Sequence, residues 1–139
     1  MMNTISTGRF TQLLYDMERL DGESAFILRK KGRIEESDVI YADRAIDRKT
    51  AARLLHVYIR DEIGEKNEAD ITPATSLKDL YDCRVCAGHI AQVYIKGIME
   101  PAKLDEVYIF DGNGLVDEKE AYTYIERVKD RREKKNEQR

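Results

Sequence analysis

FDGNGLVDEKEAYTYIERV, residues 110–128, holds in succession a turn, an apolar plug and a capped amphipathic helix. Asp111-Gly112-Asn113-Gly114 supplies residue types that tolerate positive φ and bond their side chains to nearby backbone. Val116 follows as an apolar plug. Asp117 then stands where a carboxylate can accept from the free amides of a helix's first turn. Glu120, three residues on, completes an Asp-x-x-Glu form of the capping box. Ala121, Tyr124, Ile125 and Val128 recur at helical spacing and make one apolar stripe.

The same pattern occurs twice upstream. Ile5, Ile46 and Val116 each precede a capping residue, namely Ser6, Asp47 and Asp117. Phe10, Ala51 and Ala121 lie five residues beyond the plug, and Leu14, Leu55 and Ile125 lie nine beyond it. Lys31-Gly32 and Lys96-Gly97 each close a second apolar stretch. Such self-similarity marks a repeat architecture, in which no unit buries its apolar face alone. The expectation is a mostly α fold, a single helical repeat domain over residues 1–128. Its units fall at 5–45, 46–115 and 116–128, and residues 129–139 form a charged helical extension or a disordered tail.

Local signals fill in the rest. A first helix is expected from Ser6 to about Leu20, and a short one from Ser24 to Gly32 with a strand as its alternative. Residues 35–41 read as irregular or extended. Asp47 opens the strongest helix, which Gly64 ends. Residues 65–76 read as a loop, residues 77–80 as a single turn, and Cys86 onward as a helix stopped at Gly97. Residues 102–108 read as a helical or extended connector.

Charged residues make up 37% of the chain, against ~25% in an average globular protein, so the surface is strongly ionic. A net charge of −3 gives no overall attraction to nucleic acid or anionic membrane, and no nucleic-acid partner is expected. From Glu126 to Arg139, seven Lys or Arg face four acids, an interspersion that suits a solvated helix. No apolar run approaches the ~18 residues of a membrane span. MMNTISTGRF lacks a signal-peptide hydrophobic region, which places the chain as written in the cytoplasm, or at the cell surface if it is a fragment of a secreted protein.

From residue 46 onward the motifs resemble the S-layer homology family, helical repeats that fasten bacterial surface proteins to cell-wall polymers. Leu77-Lys78-Asp79-Leu80 is similar to that family's Phe-x-Asp-Val-like turn. Residues 90–99, ending Lys96-Gly97-Ile98-Met99, are similar to its second helix, and residues 110–125 to the approach to its next unit. Of the Thr-Arg-Ala-Glu-like start, Arg48 matches the Arg and Glu120 the Glu. The resemblance implies a non-enzymatic binding or structural module with no cofactor, meeting an anionic cell-wall polymer or a protein partner. Grooves at the helix starts would present free amides to an anion. Arg9, Arg48, Lys49 and Lys119 are the cations expected to line them.

Two other chemistries compete. The 110–120 stretch also resembles the back of an EF-hand loop, with Asp111, Asn113, the Leu115 carbonyl, Asp117 and Glu120 at the oxygen-ligand positions. Its leading position is Ile109, which has no side-chain oxygen, so at most a weak, millimolar-range calcium site is expected. Cys83-x-x-Cys86-x-x-His89 together with His56 offers a Cys₂His₂ zinc set, the alternative being two small core cysteines. Ala87 excludes covalent haem attachment, which needs His at that position. With no nucleophile motif and no Gly-rich phosphate cradle, an enzyme is not expected.

Overall fold

The computed structural model describes residues 2–138, and the three plugs meet in it. Ile5, Ile46 and Val116 are all buried. The short extended segments that carry them pair in a cycle: Ser6 with Ala45, Asp47 with Leu115, and Asp117 with Thr4. The Ile46 amide donates to the Ile5 carbonyl at 2.9 Å, and the Val116 amide to the Ile46 carbonyl at 3.1 Å. Glu118 closes the cycle by donating to Asn3 at 2.7 Å. An isolated extended residue carries unpaired backbone groups; three arranged head to side satisfy one another.

Three helices leave this junction: α1 (Thr7–Leu14), α4 (Arg48–Val57) and α6 (Glu118–Glu137). Each starts on the capping residue that the spacing predicts. Ser6 accepts from the Arg9 amide, Asp47 from the Thr50 amide, and Asp117 from the Lys119 amide. Glu120 accepts in return from the Asp117 amide at 3.2 Å, closing the capping box.

The fold is mostly α. Its other elements are α2 (Gly22–Lys30), α3 (Glu36–Ile40), α5 (Arg84–Ile95), 3-10 turns at Thr72–Ser76 and Leu80–Asp82, and a hairpin of β1 (Ala102–Leu104) and β2 (Val107–Ile109). α4 and α5 pack face to face, and Leu54, Leu55 and Ile59 join Ile90, Ala91 and Val93 in the core. Beyond Val57 the α4 helix widens into a π-helical turn, Tyr58–Ile63, which Gly64 ends at φ 79.

Some local expectations change, and others resolve to one of their two alternatives. α1 stops at Leu14 rather than near Leu20, because Asp16 takes the left-handed conformation at φ 54. Residues 36–40 are helical: the Asp38 carboxylate accepts from the Glu35 amide at 2.8 Å and is clamped by both terminal nitrogens of Arg53. The 102–108 connector is an antiparallel pair in register Lys103 to Tyr108. The charged extension is helix as far as Glu137, held by Arg131 on Glu65, Arg132 on Tyr58 and Lys135 on the Gly64 carbonyl. Arg139 lies outside the described residues.

The 111–114 turn works differently from its glycine pattern. The residue at positive φ is Asp111, at 61°. Gly112 and Gly114 are there for clearance. A Cβ on Gly112 would meet Lys49 Cβ at 3.2 Å, and one on Gly114 would meet the Asp111 carboxylate at 2.5 Å.

Candidate functional site

Arg48 opens α4, and its side chain turns inward rather than into a groove. Its Nε donates to the Phe110 carbonyl at 2.9 Å, Nη1 to the Tyr124 hydroxyl at 3.0 Å and Nη2 to the Glu100 carbonyl at 2.6 Å. The guanidinium lies over the Phe110 ring, 4.8 Å from its centroid. Lys49, next along, donates to Asp47 at 3.0 Å and to the Asn113 side-chain oxygen. Arg9 sits elsewhere, on the rim of the groove between α1 and α6, and bonds Gln12 at 3.4 Å. Lys119 is exposed in the first turn of α6. The four expected cations therefore form no common groove, and three of them, Arg9, Arg48 and Lys49, are bound to groups of the protein itself.

The calcium set is likewise engaged. Asp79 reaches under the turn and accepts from the Phe110 amide at 2.7 Å and the Asp111 amide at 2.8 Å. Asn113 faces the Lys49 ammonium. Asp117 caps α6, and Glu120 accepts from the Asp117 amide and from the Tyr124 hydroxyl. Leu115 pairs with Asp47 in the junction. An ammonium thus occupies one of the oxygens, Asn113 Oδ1, that the calcium reading needs. Among the described residues, no group of three or more His, Cys, Asp or Glu side chains is placed to hold a metal. Three of the five calcium-set positions, Asn113, Asp117 and Glu120, are thus taken up by partners within the protein.

The four residues of the Cys-His set fall into two pairs, a disulfide and a histidine contact, and give neither a zinc set nor free core thiols. Cys83 and Cys86 form a disulfide. His56 on α4 and His89 on α5 meet Nδ1 to Nδ1 at 2.8 Å, and His56 Nε2 lies 2.6 Å from Asn67 Oδ1. The Asn67 oxygen only accepts, so His56 Nε2 carries the proton and its Nδ1 accepts from His89. Both rings are neutral in this arrangement. Burial pushes the His89 pKa down to about 4, with the His56, Arg53 and Arg60 side chains adding to the effect. Burial also lowers His56.

Sequence reasoning passed over a cavity of about 260 Å³ beside the disulfide, where Asp79, Asp82 and Asp111 stand around Cys83 with Lys49. These residues come from three separated stretches. The only signal for their meeting is the resemblance of the 77–80 turn to one that precedes a second helix.

No protein-family model and no curated protein matches this chain. One solved structure that it resembles is described as an undecaheme cytochrome from the S-layer of Carboxydothermus ferrireducens. The TM-score is 0.51 at 15% identity, over 93% of this chain and 22% of that one. The likeness is one of fold, and the chain spans about a fifth of the length of that protein.

These findings correct the expected function. The resembled structure belongs to a cytochrome, not to a polymer-binding S-layer homology module, and the cations assigned to an anionic polymer do not converge. The likeness brings no haem with it either, because Cys83-x-x-Cys86 is followed by Ala87 and its sulfurs are bonded to each other. Among the described residues, no helix is long and apolar enough to cross a membrane.

Proposed function

We propose that this chain is a rigid helical segment of a larger cell-surface protein, a fixed body that sets the spacing of its neighbours. The observation that carries this reading is the junction itself. Three helix starts far apart in sequence are tied by backbone hydrogen bonds, and Arg48 bonds carbonyls of two other segments behind them. Such cross-links resist independent movement of the helices. The Cys83–Cys86 disulfide supports an oxidising location outside the cytoplasm. So does the fold likeness to part of a longer chain whose description places it in an S-layer.

The test is protease shaving of intact source cells, with thiols trapped by acid and alkylated before lysis. The expected result is cleavage of this chain from outside the cell and a Cys83–Cys86 pair that is mainly oxidised at steady state. A protease-protected chain with both thiols alkylated would contradict the proposal.

A further inference from the structure

The disulfide spans the first turn of α5, with Cys83 as the N-cap residue and Cys86 three residues on. A cross-link this short removes little freedom from the unfolded chain, since that stabilisation grows with loop length. Its two sulfurs have different surroundings. Cys86 packs against the core, whereas Cys83 lines the open cavity with Asp79, Asp82, Asp111 and Lys49. Cys83 is partly exposed, and its neighbours Val85 and Tyr81 are 87% and 60% exposed, so this end of α5 faces solvent. Three carboxylates outweigh one ammonium there, and that ammonium is already held by Asp47 and Asn113.

We propose that Cys83–Cys86 is a thiol–disulfide exchange site, attacked at Cys83 by a dithiol carried on a cationic partner. The partner thiolate attacks Cys83 Sγ, and the bond to Cys86 breaks with its electron pair leaving on Cys86 Sγ. That sulfur sits in the first turn of α5, where free amides favour a thiolate, and it then takes a proton from water. The partner's second thiolate attacks its own sulfur in the mixed disulfide, and Cys83 leaves as a thiolate and is protonated. In sum the dithiol loses two electrons and two protons to become a disulfide, and the cysteine pair gains them. The carboxylates attract a cationic thiol and repel an anionic one.

The test uses the full oxidised chain with cysteamine, which is cationic, and 2-mercaptoethanesulfonate, which is anionic, at matched thiolate concentration. Exchange is quenched with N-ethylmaleimide and read by intact mass. At low salt cysteamine should react about tenfold faster or more, a ratio that falls toward one in 1 M salt. Asp82→Asn, at an exposed side chain, should lower the ratio several-fold at unchanged melting temperature. Peptide mapping of early adducts should place the thiol on Cys83. Equal rates for the two thiols, adducts chiefly on Cys86, or no exchange in the native protein over hours would each overturn the proposal.

Discussion

Arg48 shows how much a single side chain can hold. It gathers the Phe110 and Glu100 carbonyls and the Tyr124 hydroxyl, three neutral acceptors from different segments. Arg48→Ala leaves these acceptors unmet, two of them backbone, and should cost about 3 kcal/mol in denaturant unfolding. Arg48→Lys should recover less than half of that loss, because a point ammonium cannot reproduce the guanidinium fork. The Asp111 turn makes a second residue-scale prediction. Gly114→Ala should destabilise by about 1–2 kcal/mol through its clash with Asp111. In an Asp111→Gly background most of that cost should vanish, and a double-mutant cycle measures the coupling. Neither feature was legible in the sequence. An Arg at a helix start reads equally well as a ligand cation or an internal tie, and the glycine pattern does not say whether φ or clearance is the reason for it.

At the scale of elements, the capped starts were legible because their signals are local. Ser6, Asp47 and Asp117 each accept from an amide two or three residues away. α3 was not: Asp38 does accept locally from the Glu35 amide, but Glu35 is not a usual capping type, and Asp38 is also held by Arg53 from another helix. The hairpin was legible only as the extended alternative for residues 102–108, because its strands are three residues each and β1 is wholly exposed, leaving no alternation to read. Val116 makes the sharpest test of the plugs. Val116→Asp sets a charge among buried apolar side chains and should cost several kcal/mol, seen as loss of a cooperative melt or a large fall in its midpoint. The contact between α4 and α5 makes a pH prediction. The His89 pKa falls from its ordinary 6.5 to about 4 in the fold, so the unfolded chain takes up the proton first. The stability this adds is present above pH 6.5 and is lost as pH falls toward 4. Salt-bridged carboxylates such as Glu65, also lowered, weaken only below their ordinary 4.5. Melting temperature should therefore begin to fall between pH 6.5 and 4.5, and His89→Gln should reduce that slope, His56 supplying the remainder, while leaving the steeper loss below it.

For the whole molecule, the periodic plugs pointed to a helical architecture, and the helical fold is what the chain adopts. The function drawn from the same pattern did not survive. Spacing shows where helices start, but it does not show whether the charges between them face outward or each other. Here Lys49 meets Asn113 and Arg48 turns inside, which closes the groove that the pattern suggested. If the three helix starts form one mechanical unit, native-state hydrogen exchange at the junction should show it. The amides of Ile46, Arg48 and Val116 donate across the junction, while those of Leu54 and Leu55 lie within α4. One rigid body predicts that both sets exchange only through global unfolding, with opening free energies within about 1 kcal/mol of each other. Junction amides that open several kcal/mol more readily than α4 would show helices moving independently, and would contradict the account.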